Sequence, residues 1–151
     1  MERYRPKSNP SKRGGDYFPE TRKSIKFISS GCATLDCVLG GGWALGRVSN
    51  VVGDKSAGKP LLAIEACANF ARSYSKGKIW YRESEAAFDE DYAVKLGLPI
   101  DRMDFGDEGL GTQWDTVEDV FEDLGRKLEQ GAKTGNPGLY IVDSLDALSD
   151  R

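Results

Sequence analysis

The stretch that decides the fold of this chain is Gly53-Asp54-Lys55-Ser56-Ala57-Gly58-Lys59-Pro60. It matches the G-x-x-x-x-G-K core of a phosphate-binding loop, in which glycines let the backbone wrap around a phosphate and N–H groups point inward. A β-rich run at residues 47–52 precedes it and a helical pattern at 61–74 follows it. The helix start would add positive potential, and Lys59 would supply charge for the terminal phosphates. The stretch is therefore predicted to bind phosphates; the alternative is a chance glycine-rich turn.

Residue 60 departs from this pattern. A phosphate-binding loop carries Ser or Thr there, because the hydroxyl ligates magnesium and the backbone N–H faces a phosphate oxygen. Pro60 has neither group, and it also disfavours the helical conformation of Lys59. Since a proline ring is tolerated in the first turn of a helix, we expect the fold to survive and the phosphate site to be weakened.

The apolar pattern around the loop is that of an α/β domain. Residues 25–28 form a short apolar stretch, and strands are predicted at residues 47–52, 78–81, 103–105 and 139–142. Helices are predicted at residues 34–39, 61–74, 90–96 and 115–130. The residues of the last helix that share an apolar face are Val117, Val120, Phe121, Leu124 and Leu128. This alternation implies a mostly parallel central sheet covered by helices.

Composition narrows the class of protein. A chain of 151 residues that is 39% hydrophobic is long enough for one compact domain. A net charge of -3 and the absence of histidine argue against a uniformly basic nucleic-acid binder and against imidazole chemistry. The three cysteines form no CxxC pair, which favours neither a disulfide framework nor a zinc site and fits a cytoplasmic protein. No apolar run reaches the roughly 18 residues of a membrane span.

Residues 1–15 differ from the rest of the chain. They hold five Lys or Arg against one Glu, with two prolines and two glycines. Such a segment buries too little apolar surface to fold alone, so a flexible basic tail is predicted. An arm that touches nucleic acid or a neighbouring subunit and a simple solvated terminus both remain open.

Two acidic residues follow predicted strands. Asp143 ends the apolar run 139–142, as in a Walker B strand, where the carboxylate binds magnesium directly or through water. Glu85 follows the strand that begins at Lys78, and open parallel sheets bind ligands at that edge, so Glu85 can act on a water near a γ-phosphate. The alternatives are that Asp143 or Ser144 caps a helix at residues 145–148 and that Glu85 is a solvated loop carboxylate.

From Ile28 to Arg151 the chain resembles the RecA family of bacterial and phage recombinases. The segments that carry the resemblance before the loop are Ile28-Ser29-Ser30-Gly31, Thr34-Leu35-Asp36, Leu39-Gly40-Gly41-Gly42 and Leu45-Gly46-Arg47-Val48. Those after it are Glu83-Ser84-Glu85-Ala86-Ala87-Phe88-Asp89 and Tyr92-Ala93-Val94-Lys95-Leu96-Gly97. The resemblance implies a three-layer P-loop NTPase fold, truncated after the Walker B strand, with residues 16–151 as a partial RecA-like ATPase core.

The same resemblance implies roles at the site. Glu85 orients the attacking water, Asp89 and Tyr92 flank the adenine of ATP, and Asp143 binds Mg²⁺. For Tyr92 the alternative is a helix residue that packs on the sheet.

The implied function is the ATP-binding core fragment of a RecA-like DNA recombination and repair protein, a DNA-dependent ATPase whose P-loop Pro60 impairs. The family binds single-stranded DNA through two loops after the Walker B strand, and this sequence ends before them. The expected partner is another copy of the chain or a second RecA-like subunit. The alternative function is an interaction or regulatory module that is deficient in nucleotide binding, associates with another subunit and does not hydrolyse ATP.

Overall fold

The computed structural model describes residues 25–84, 88–106 and 114–150. The predicted tail at residues 1–15 and the predicted catalytic residue Glu85 lie outside the described residues. The strands are β1 (Phe27–Ile28), β2 (Trp43–Ala44), β3 (Lys78–Glu83), β4 (Met103–Asp104) and β5 (Gly138–Asp143). The α-helices are α1 (Ala33–Leu39), α2 (Lys59–Ser73), α3 (Glu90–Lys95) and α4 (Val117–Thr134). None of these helices is long and apolar enough to cross a membrane.

Three parallel strands form the central sheet, in the order β4-β3-β5. The middle strand β3 pairs with β5 over its whole length, from Lys78 opposite Gly138 to Glu83 opposite Asp143. Both strands therefore end at the same edge of the sheet. The predicted α/β organisation with a parallel sheet is confirmed; β1 and β2 form a separate antiparallel pair.

Helices contact both faces of β3, because successive side chains of a strand point to opposite faces. Ile79 and Tyr81 belong to a buried apolar cluster with Cys67 and Phe70 of α2. On the other face, the side chain of Arg82 reaches helix α4. The strand is thus enclosed, which fixes the position of its carboxyl end.

The strand predicted at residues 47–52 is wrong, since the structure has no strand there. Val48 and Val52 are 99% and 85% exposed, and no backbone–backbone hydrogen bond joins residues 47–52 to another described residue. A strand needs the hydrogen bonds of a neighbouring strand. No described strand lies beside this run, so its apolar composition does not lead to pairing or burial.

The predicted apolar face of α4 is wrong in two of its members. Phe121 and Leu128 are 57% and 62% exposed, while Val120 is buried as expected. Asp123 was not among the residues predicted to be buried, but it is buried, because its carboxylate accepts a hydrogen bond from Arg82 of β3. An ion pair at the helix–sheet contact therefore sets the rotation of α4, and apolar periodicity alone does not reveal it.

Candidate functional site

The loop at residues 53–58 leads directly into helix α2. Gly58 is the N-cap residue of that helix, with φ at 90°, a left-handed conformation that glycine adopts readily and other residues adopt at a cost. The first N–H groups of an α-helix have no partner inside the helix, and no side chain caps them here. This arrangement is suited to accept an anion at the start of α2.

Lys59 places its ammonium group inside the loop. Its Nζ donates to the backbone oxygens of Gly53 at 2.9 Å and Asp54 at 3.1 Å. Its charge also reaches the carboxyl edge of the sheet: a hydrogen bond from Ser144 holds the pKa of Asp146 below its usual value, and the charge of Lys59 lowers that pKa further. The cation thus lies within the loop, and its charge acts on the segment that follows β5.

Pro60 is the second residue of α2, which begins at Lys59. The expectation that the proline ring is tolerated in the first turn is confirmed. The expectation that it holds Lys59 away from the helical conformation is wrong, because the backbone N–H of Leu62 bonds to the oxygen of Gly58 and the helix includes Lys59. Compared with the Ser or Thr of a phosphate-binding loop, Pro60 therefore lacks only the side-chain hydroxyl and the backbone N–H.

Asp143 ends β5, and Tyr81 holds its carboxylate. The hydroxyl of Tyr81 donates to Oδ2 of Asp143 at 2.7 Å. Burial raises the pKa of that hydroxyl above its usual value, and the charge of Asp143 raises it further, so the phenol remains a donor. Ser144, not Asp143, occupies the N-cap position of the short 3₁₀ helix Leu145–Ala147. The helix-cap alternative for Asp143 is therefore wrong.

A second contact fastens the ends of β3 and β5 to each other. The hydroxyl of Ser84 accepts from the N–H of Ser144 at 3.0 Å and donates to its carbonyl oxygen at 2.8 Å. The N–H of Ser84 also donates to the backbone oxygen of Asp143 at 3.0 Å. These bonds fix the position of Asp143 relative to the end of β3.

A cavity of about 130 Å³ lies between the start of α2 and the carboxyl edge of the sheet. The polar and loop residues that line it are Pro60, Tyr81, Glu83, Asp89, Tyr92 and Asp143. The residues expected to contact adenine, the expected metal ligand Asp143 and Pro60 at the end of the expected phosphate loop therefore share one cavity. Sequence reasoning missed Tyr81 and Glu83. A hydroxyl within a buried strand and an acid at the strand end were the available signals.

Asp89 and Tyr92 are linked through the start of α3. The carboxylate of Asp89 caps this helix by accepting from the backbone N–H of Tyr92 at 2.8 Å. The Tyr92 residue is 40% exposed and lines the cavity, which does not match the alternative of a residue packed on the sheet. One oxygen of Asp89 is thus engaged in capping, and the ring of Tyr92 remains accessible.

The residues at the cavity fit a magnesium–nucleotide complex in their donor chemistry. Within residues 25–84, 88–106 and 114–150 no group of three or more acidic, cysteine or histidine side chains could hold a metal ion alone. Magnesium in nucleotide sites takes only one or two carboxylates from the protein and its other ligands from phosphates and water. Asp143 meets that need, and the uncapped start of α2 with Lys59 suits the phosphates.

The fold and the loop together define an α/β protein with a candidate anion site at the carboxyl edge of a parallel sheet. Residues 16–151 match the family model of the RecA N-terminal domain. Protein RecA of Nostoc punctiforme is 35% identical over 131 residues, which cover 87% of this chain and 33% of the relative. Protein RecA of Prochlorococcus marinus is 34% identical over the same shares of both chains. The chain belongs to the RecA family, and it spans about a third of the length of these curated relatives.

Proposed function

We propose that this chain is the ATP-binding part of a RecA-like protein of DNA recombination and repair. Residues 16–151 would form a partial P-loop NTPase core of three layers, and residues 1–15 a flexible basic tail. The observation that carries the proposal is the cavity that Pro60, Asp89, Tyr92 and Asp143 share. These four residues come from three separate segments of the sequence, the start of α2, the start of α3 and the end of β5, and the fold brings them together.

In the proposed site, each group of this chain has a separate task. The N–H groups of the loop and of the start of α2, with the ammonium of Lys59, bind the phosphates. Asp143 binds Mg²⁺, and Asp89 and Tyr92 flank the adenine. Bound magnesium would neutralise charge that develops on the phosphates. Glu85 would orient the attacking water.

Pro60 weakens this site without abolishing it. A hydrogen bond to a charged group contributes about 1.5–3 kcal/mol, so losing one weakens phosphate binding by about tenfold to a hundredfold. Hydrolysis should suffer more than binding, since the missing hydroxyl is also a magnesium ligand. DNA-dependent ATPase activity and binding of single-stranded DNA are proposals for the longer protein that the RecA relatives represent.

Calorimetric titration of ATP, with and without Mg²⁺, tests the proposal. Lys59→Ala should weaken binding by about tenfold or more, because it removes a charge-assisted contact to phosphate. Lys76→Ala is the matched control: Lys76 is an exposed lysine in the turn before β3, at the opposite end of the strand from the cavity. The control should bind as the unaltered chain does. Equal affinity of all three proteins would contradict a phosphate site at Lys59.

A second candidate function is association with another copy of the chain or with a second RecA-like subunit. Two observations favour it: Val48 and Val52 are apolar and exposed, and no described strand pairs with the outer edge of β5. Unpaired strand edges and exposed apolar segments are common sites of chain association. Under this function the chain would act as an interaction or regulatory module without hydrolysing ATP.

A further inference from the structure

Among the described residues, the carboxylate of Asp143 on β5 accepts a hydrogen bond from one donor, the hydroxyl of Tyr81 on the neighbouring strand β3. The two residues lie on neighbouring strands, and Tyr81 engages Oδ2 of Asp143 at 2.7 Å. Oδ1 has no partner among the described contacts. One oxygen is thus fixed by the protein, which leaves the other for a ligand in the cavity that both residues line.

Tyr81 is held rigidly enough to fix that carboxylate. Its ring is buried and packs edge-on against the ring of Phe88, with the two ring centroids 5.1 Å apart. The ring centroid of Phe105 lies 6.0 Å from that of Tyr81. The backbone on either side belongs to β3, where residues 78–83 pair with β5 and residues 79–80 also pair with β4. A hydroxyl on a locked side chain orients its acceptor at little further entropic cost.

The need for such a residue follows from Pro60. In a P-loop the hydroxyl of residue 60 and the Walker B carboxylate hold the same ion, so each helps to place the other. Pro60 lines the same cavity as Tyr81 and Asp143 but offers no hydroxyl. In this chain a hydroxyl at the cavity comes from β3 instead of from the loop.

We propose that Tyr81 is a positioning residue for Asp143, which orients the carboxylate toward magnesium in the absence of a hydroxyl at position 60. The inference rests on the proposed function, because it assumes that Asp143 meets a magnesium–nucleotide complex.

The test is a set of four variants measured by calorimetric titration of ATP, in Mg²⁺ and in chelator. Tyr81→Phe should weaken binding in Mg²⁺ by about tenfold, the effect of losing one hydrogen bond at the metal ligand, and leave binding in chelator unchanged. In Pro60→Thr the same Tyr81→Phe change should cost less than about threefold, since the new hydroxyl supports the metal ion. The fourth variant, Tyr140→Phe, is the matched control: its hydroxyl donates to Asp123 at 2.9 Å on the opposite face of the sheet. It should leave the magnesium dependence unchanged.

An equal loss from Tyr81→Phe with and without Mg²⁺, or an equal loss with and without the Pro60→Thr change, would overturn the inference. A measurement without nucleotide separates this failure from failure of the proposed function. The urea midpoints of Tyr81→Phe, Asp143→Ala and the double variant are then compared. The two changes should not add: the double variant should be as stable as the less stable of the two single variants, because both changes break the same hydrogen bond. Additive midpoints overturn the inference whether or not ATP binds. Coupled midpoints with no ATP binding in any variant refute the proposed function and, with it, the metal-positioning task of Tyr81.

Discussion

The carboxylate side of the candidate site and its phosphate-loop side differ in how firmly the rest of the molecule holds them. Tyr81 and Ser84 are buried at the central strand, and Asp143 is tied to both by side-chain and backbone hydrogen bonds. The segment from Val48 to Gly53 is exposed and has no backbone–backbone hydrogen bond to another described residue. The difference implies that changes on the carboxylate side alter both stability and binding, whereas changes on the loop side alter binding alone.

The largest effect on stability is expected at the ion pair that supports the carboxylate side. Arg82 is fully buried, its Nε lies 2.6 Å from Oδ2 of Asp123, and its guanidinium lies over the rings of Trp114 and Tyr140. Asp123→Ala leaves this cation buried without its closest counter-ion, which costs about 3–5 kcal/mol in the free energy of unfolding. Urea denaturation measures the loss.

The control for that prediction is Glu129→Ala, which alters an exposed residue of the same helix. A change at such a position is expected to stay within about 0.5 kcal/mol. A loss below about 1 kcal/mol for Asp123→Ala would show that β3 does not depend on this pair.

The smallest effect on stability is expected on the loop side. Val48→Asp should change the free energy of unfolding of the monomer by less than about 0.5 kcal/mol, because the side chain is already in water. Light scattering on the same variant tests the second candidate function: a charge at Val48 should dissociate any assembly that uses this surface. A large loss of monomer stability would mean that the segment is packed and that the loop side is held as firmly as the carboxylate side.

The same difference explains how far the sequence predicted the structure. The parallel strands around Ile79 and Ile141 and the helix after the loop were predictable, since their apolar patterns are long and the elements pack on each other. Residues 47–52 hold three β-branched valines but have no hydrogen-bonded neighbour among the described residues, so a β-rich composition alone did not produce a strand. Asp123 on the buried face of α4 was not predicted, because it pairs with Arg82 through charge rather than through apolar contact.

The loop and Asp143 could be singled out from the sequence as parts of a candidate site. The spacing of the glycines and an acidic residue after an apolar strand can both be recognised without a structure. Tyr81 was not predicted, because its hydroxyl bond to Asp143 joins residues 62 positions apart. Which partner a buried hydroxyl finds depends on strand register, and register became known only with the structure.

The affinity of Pro60→Thr for ATP tests most directly whether the loop is a working phosphate site limited by residue 60. Lys59 is already helical, so the substitution adds a magnesium-ligating hydroxyl and a phosphate-facing N–H without rebuilding the helix start. Calorimetry should show binding tighter by at least about tenfold in Mg²⁺ and a smaller gain in chelator. Equal affinity of the two proteins for ATP in Mg²⁺ would show that residue 60 does not limit the site.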